Sequence, residues 1–367
     1  MKKILVISSE ISHKSGWGRV ALEVSKCFKQ KDLEVINICG SSTLSHKDIA
    51  INDLVSLKQW NFKKVLLTFL DLFRVLLKVR NSFDYILATD ESSLMLAHFI
   101  SKFYKVPFSF ISYGTYALKI VNELNVDIHK KALERADKIF ISSSFSAQQF
   151  KKLTPAYNNK IIVIPLGTSN DFLNHPFSNV NKNDEIVTIG AVKERKGLLE
   201  IAQAINLIDE INRPIVNVIG ALDQAETYVK NVINFIDENN LKKFIKFHHQ
   251  IPDNEMLQVI DQSKIFVLPS KNTFDGNFEG FGIVFLEASS RSLPVIGSND
   301  CGNIDAIINN QTGFLINQGD VIDLKDKILY LLKNSEFASN MGKNGRLFAE
   351  KMTWMHTTEM ILKGIEK

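Results

Sequence analysis

Asn277-Phe278-Glu279-Gly280-Phe281-Gly282-Ile283-Val284-Phe285-Leu286-Glu287-Ala288-Ser289-Ser290-Arg291 is the stretch on which the reading of this chain turns. It follows the apolar run Ile265 to Leu268 and the turn-forming Pro269-Ser270, so a strand runs into a glycine-bearing loop that opens a helix. Gly280 and Gly282 leave backbone N–H groups uncovered at the positive end of the helix dipole, a ready site for phosphate. Glu287 sits among Val284, Phe285, Leu286 and Ala288 and is expected to be buried, which is costly for a carboxylate unless it is hydrogen-bonded. With the helix starting near Gly280, the two glutamates lie about 11 Å apart at the helical rise per residue. That spacing matches a ligand with hydroxyls at both ends and a diphosphate between them. The bland alternative is a capping carboxylate followed by a chance core glutamate.

Outward from this stretch, strand-like runs alternate with helical patterns. Ile4–Ser8, Glu34–Cys39, Tyr85–Thr89, Phe108–Ser112, Lys138–Ser142 and Lys160–Ile164 form one series. A second comprises Glu185–Ile189, Ile215–Ile219, Phe244–His248, Ile265–Leu268, Pro294–Gly297 and Gly313–Ile316. The alternation predicts an α/β protein of two doubly wound, parallel-sheet domains with a cleft between them. The polar, turn-rich stretch from Asn174 to Asp184 marks the expected boundary. Domains are therefore expected at 1–173 and 174–352.

Composition agrees with a globular protein. The 367 residues suffice for two cores, and 45% are hydrophobic. A net charge of +4 suits an anionic ligand or a membrane surface, and no aromatic-spaced basic motif points to nucleic acid. Cys27, Cys39 and Cys301 form no CxxC pair, which argues against a disulfide framework or zinc site and for a reducing, cytoplasmic setting. The apolar run after Met1-Lys2-Lys3 is too short for a signal peptide and reads as a first buried strand.

Four further places bear on function. Gly190-Ala191-Val192-Lys193-Glu194-Arg195-Lys196-Gly197 lies between a strand and a helix, where its cations would grip a diphosphate, or would be merely a solvated turn. Ser15-Gly16-Trp17-Gly18-Arg19 follows the first strand; Gly16 and Gly18 admit close backbone approach and Arg19 adds charge. Asp90 ends the strand Tyr85 to Thr89 at the carboxyl edge of the first sheet, where ligands gather, and is an acceptor-side candidate. The segment 60–79 has a narrow polar stripe with Lys63, Lys64, Asp71, Arg74 and Lys78. Packing on the sheet is the preferred reading; an interfacial helix giving peripheral contact with the inner membrane face is the rival.

Glu279-Gly280-Phe281-Gly282 through Glu287 resembles the E-x7-E signature of the retaining GT-B glycosyltransferases of family 4. The resemblance extends through Pro269-Ser270, Pro294-Val295-Ile296, Gly302 to Ile307, Thr312 to Leu315, Gly190 with Lys196-Gly197, Ser15 to Arg19 and Ile164 to Gly167. It implies transfer of a sugar from a nucleotide-diphosphate donor, UDP- or GDP-linked, to a hydroxyl of a carbohydrate or glycolipid acceptor, without a metal or other cofactor. By that resemblance Glu279 binds donor-sugar hydroxyls, the backbone at Phe281, Gly282 and Ile283 meets the diphosphate, and Glu287 binds the ribose. Lys196 matches the family's lysine. Ala191 stands where relatives carry arginine, so Arg195 is the substitute, and Tyr113 stands where many carry histidine. The resemblance also implies that a last helix, 353–367, returns to the N-terminal domain. Rival readings are a nucleotide-sugar epimerase, a phosphorylase or a non-catalytic nucleotide-sugar binder.

Overall fold

The computed structural model describes residues 1–12, 15–42, 54–56, 83–115, 126–177 and 182–366. The 60–79 segment lies outside them. The chain divides into two compact units, Met1–Leu166 with Trp354–Lys367, and Gly167–Thr353.

The first unit contains β1 (Lys3–Ile11), α1 (Gly16–Gln30), β2 (Glu34–Ser42), β3 (Leu54–Ser56), β4 (Tyr85–Ala88), α2 (Leu94–Tyr104) and β5 (Phe108–Ser112). It continues with α3 (Val126–Arg135), β6 (Ile139–Ile141), α4 (Ser144–Leu153) and β7 (Ile161–Val163). Its strands form one parallel sheet in the order β3-β2-β1-β4-β5-β6-β7. Ile4, Leu5, Val6 and Ile7 are all fully buried. A strand covered on both faces reads as such an unbroken apolar run.

The second unit contains α5 (Asn170–Asn174), β8 (Glu185–Ile189), α6 (Leu198–Asn206), β9 (Ile215–Ile219), α7 (Thr227–Glu238), β10 (Ile245–His249), α8 (Asp253–Gln262) and β11 (Ile265–Leu268). There follow α9 (Ile283–Ser290), β12 (Val295–Ser298), β13 (Gly313–Ile316), α10 (Val321–Lys333) and α11 (Ser335–Ala349). The parallel sheet order is β10-β9-β8-β11-β12-β13. This is the dinucleotide-fold order, in which the direction of winding reverses between the first and fourth strands, here β8 and β11. The equivalent reversal in the first unit falls between β1 and β4.

The division falls at 166/167 rather than at the expected 173/174, and the reason is a buried arginine. Arg291, fully buried, forms a bidentate pair with Asp261 at 2.7 and 2.6 Å and donates to the carbonyls of Phe172, His175 and Pro176. Arg346 donates to the Leu173 carbonyl at 2.8 Å. These bonds fasten 172–176 to α9 and α11, so the segment belongs to the second unit. The last helix, α12 (Trp354–Ile365), groups with the first unit, where Thr357 donates to the Pro165 carbonyl at 2.7 Å and Lys31 pairs with Glu359.

Candidate active site

In an open parallel sheet, ligands bind outside the carboxyl ends of the strands where the winding reverses. In the second unit, the loops leaving β8 and β11 meet there. Gly197 joins them: it caps α6 at φ +74°, and a Cβ on it would lie 2.2 Å from the Pro269 carbonyl oxygen. Only glycine permits both that backbone conformation and that approach. Lys271 adds a second tie by donating its backbone N–H to the Arg195 carbonyl at 3.0 Å.

The consequence is a compact charge cluster. Arg195 Nη1 and Lys196 Nζ both donate to Glu279 Oε2 at 2.6 Å. The Glu279 side chain is only 10% exposed, against 33% for Arg195 and 14% for Lys196. Burial alone would push the Glu279 carboxyl up, but the Lys196 and Arg195 charges and their hydrogen bonds outweigh it and hold it down at about 2. Gly190, at φ +145°, makes room for the lysine: a Cβ there would lie 3.3 Å from Lys196 Cε. Lys271 Nζ pairs with Glu200 at 2.7 Å and Glu194 at 3.5 Å, bracing α6 against the loop that carries Glu279.

The helix after this loop starts at Ile283, not near Gly280 as expected. Gly282 takes the left-handed conformation at φ +85° and caps α9. Glu279 therefore lies outside the helix, and its separation from Glu287 is not set by helical rise. Gly280 is half-buried, Phe281 buried, and Ile283 half-buried at the first position of α9. Glu287 is buried on α9, 3% exposed.

At the reversal point of the first unit, Ser15 caps α1 by accepting from the Gly18 N–H at 3.0 Å. Gly16 is thus the first residue of the helix rather than part of a loop, and a Cβ there would meet nothing within 4 Å. Gly18 packs tightly on Ser12, whose Oγ would lie 2.6 Å from an added Cβ. Arg19 is half-buried on α1. Glu10, near the end of β1 and without a sequence motif to mark it, accepts from Ser12 Oγ and, at 2.8 Å, from Ser15 Oγ.

Asp90 and Tyr113 lie at the carboxyl edge of the first sheet with their polar groups bonded inside the unit. Asp90 accepts from Ser8 Oγ (3.1 Å), the Ser9 N–H (2.7 Å), the Ser93 N–H (3.0 Å) and Ser93 Oγ (2.9 Å). Four internal donors make it a brace between β1 and the turn after β4. Tyr113, 7% exposed, donates its hydroxyl to the Thr89 carbonyl at 2.6 Å. Both residues use their hydrogen-bonding groups inside the unit, because at a buried strand end the backbone and neighbouring hydroxyls must be satisfied first. The missed neighbour is Glu91, which accepts from Ser112 Oγ at 2.9 Å and from the Tyr113 N–H. Burial pushes its carboxyl up to about 8, with Asp90 adding to the rise.

Two family models account for most of the sequence. "Glycosyl transferases group 1" matches residues 171–348, and "Glycosyltransferase Family 4" matches residues 14–172. The chain belongs to family 4 of the GT-B glycosyltransferases. The uncharacterized glycosyltransferase MJ1178 of Methanocaldococcus jannaschii is 28% identical over 71% of the chain and 68% of its own length. The capsular polysaccharide biosynthesis glycosyltransferase CapM of Staphylococcus aureus is 28% identical over 56% of each. Among solved structures, Anabaena Alr3699/HepE in complex with UDP and glucose superposes over all of both chains with a TM-score of 0.83 at 16% identity. Sucrose-phosphate synthase of Thermosynechococcus elongatus gives 0.76 at 17% identity, covering 100% of this chain and 98% of its own. At these identities the structures establish the fold of this glycosyltransferase and nothing finer.

Among the described residues, no helix is long and apolar enough to cross a membrane.

Proposed function

We propose that the protein is a retaining glycosyltransferase that moves a sugar from a nucleoside diphosphate donor to a hydroxyl of a carbohydrate or glycolipid in surface-glycan assembly. The observation that carries this reading is Glu279 gripped by Arg195 and Lys196 where the loops leaving β8 and β11 meet. Glu279 Oε1 is then available to donor-sugar hydroxyls. The cations lie beside the carboxylate that would hold the sugar, and so beside the bond that breaks. As the C1–O bond cleaves, negative charge grows on the departing diphosphate, and preorganised cations stabilise it more than the ground state. The uncovered N–H groups at the start of α9 add partial positive charge. The acceptor oxygen bonds to C1 on the face the diphosphate leaves, and its proton passes to a departing phosphate oxygen. This route needs neither metal nor enzyme nucleophile. The capsular polysaccharide role of CapM and the UDP complexes of HepE support the glycan and nucleotide parts of the reading.

The test is turnover of labelled UDP- and GDP-sugars with a panel of saccharide and glycolipid acceptors, with product anomers read by NMR. A product of donor configuration is expected. Inverted product would overturn retention, and acceptor-independent isomerisation of the donor would make the protein an epimerase.

A further inference from the structure

Beneath the Glu279–Gly282 loop runs the chain leaving β12, stacked against it backbone on backbone. Gly302 donates its N–H to the Glu279 carbonyl at 2.8 Å, and a Cβ on Gly302 would lie 2.1 Å from the Gly280 carbonyl oxygen. The next residue, Asn303, is fully buried, and neither its Oδ1 nor its Nδ2 has a hydrogen-bond partner among the described residues. Its Oδ1 stands 3.2 Å from where a Gly282 Cβ would be, so the carboxamide lies against the residue that caps α9. Ser270 and Ser298, just beyond β11 and at the end of β12, have buried hydroxyls in the same condition. Buried polar groups are nearly always paired, and a local exception calls for a cause. Here the orphaned groups follow adjacent strands on the side where ligands bind, and Asn303 touches a helix start suited to anions.

We propose that Asn303 is a positioning residue for the donor diphosphate. Its carboxamide gains its hydrogen bonds when an anion at the α9 N-terminus draws the Gly280–Gly282 backbone and the Asn303 side chain into register. The inference rests on the donor reading above and deepens it. A neutral amide suits the place: it donates to phosphate from Nδ2 and accepts from loop N–H groups at Oδ1, without competing with Glu279 for the cations. The arrangement also predicts opposite effects on stability and binding. Replacing an unsatisfied buried amide by an apolar group of similar shape should leave the ligand-free protein as stable or more so.

The experiment measures thermal melting together with calorimetric titration of UDP, GDP and ADP into wild type, Asn303→Leu, Asn303→Ala and Asn303→Asp. The Leu variant, or the Ala variant should Leu overpack, is expected to melt no lower than wild type. It should bind the preferred nucleoside diphosphate about tenfold more weakly, the loss of one charge-assisted hydrogen bond. Asn303→Asp should bind more weakly still, through repulsion. Unchanged affinity in the folded variants overturns the inference and leaves the donor reading intact. Affinity lost only in step with melting temperature marks Asn303 as a packing residue and also overturns it. A wild type that binds none of the three diphosphates overturns the donor reading itself, and this inference with it.

Discussion

The two units place carboxylates at equivalent points of similar sheets and treat them in opposite ways. In the second unit Glu279 meets Arg195 and Lys196, and Asp261 meets Arg291. In the first unit Asp90 and Glu91 are held by hydroxyls and backbone N–H groups, and burial pushes both carboxyls up. One arrangement keeps carboxylates beside cations; the other holds acidic side chains with uncharged donors at a strand edge. Fold symmetry between the units therefore does not extend to electrostatics, and the charged unit is where a diphosphate leaving group would be stabilised.

The strongest way to break the comparison is to unpair a charge in the second unit. Asp261→Ala leaves Arg291 buried without its carboxylate, and such deletions cost about 3–5 kcal/mol. Chemical denaturation should show that loss, since Asp261 also helps hold 172–176 to the unit. A variant of near wild-type stability would mean that the carbonyls of Phe172, His175 and Pro176 alone sustain the arginine.

Next in size is the effect of the two cations beside Glu279. Lys196→Ala and Arg195→Ala should each reduce turnover about a hundredfold, as removal of other transition-state charge stabilisers does. A silent Arg195→Ala beside a damaging Lys193→Ala would move the role of the missing family arginine to Lys193. Glu287→Gln should weaken nucleoside diphosphate binding by about 1–3 kcal/mol, the range for a hydrogen bond to a charged group. Calorimetry finding unchanged affinity would remove Glu287 from the ribose.

The second unit was the more legible in the sequence. Strands β8, β9, β11 and β13 coincide with their apolar runs because each is bounded by turn residues and buried on both faces. The short strand β3, Leu54–Ser56, carries too few residues to stand out. Of the site, Glu279, Arg195 and Lys196 were readable as types at suggestive spacings. Their convergence on one oxygen was not, since 83 and 84 positions separate the partners. Lys271 escaped for the same reason, its partner Glu200 being 71 positions away. Which glycine would cap α9 was also hidden, because Gly280 and Gly282 look alike until one adopts positive φ. The internal hydrogen bonds of Asp90 and Tyr113 were not legible either, because a polar residue near a strand end looks the same in sequence whichever way its hydrogen bonds point.

The smallest effect tests the first unit. Glu91 has its folded pKa raised from 4.5 to about 8 by burial. Between those values the folded state binds the proton more than the unfolded state does, so this group's contribution to stability is greatest below 4.5 and declines as pH rises toward 8. Glu279, held down at about 2, has the reverse dependence: its contribution is present above 4.5 and is lost as pH falls toward 2. Glu91→Gln keeps an oxygen to accept from Ser112 and Tyr113 and has no proton to take up. It should therefore stabilise the protein at pH 8 by about 1 kcal/mol, the usual size of a single favourable substitution, and have little effect at pH 4.5. Melting curves of variant and wild type across that range would show the gap opening with pH. A constant gap would mean that Glu91 is ionised throughout, and the contrast between the units would then lie in hydrogen-bond partners alone.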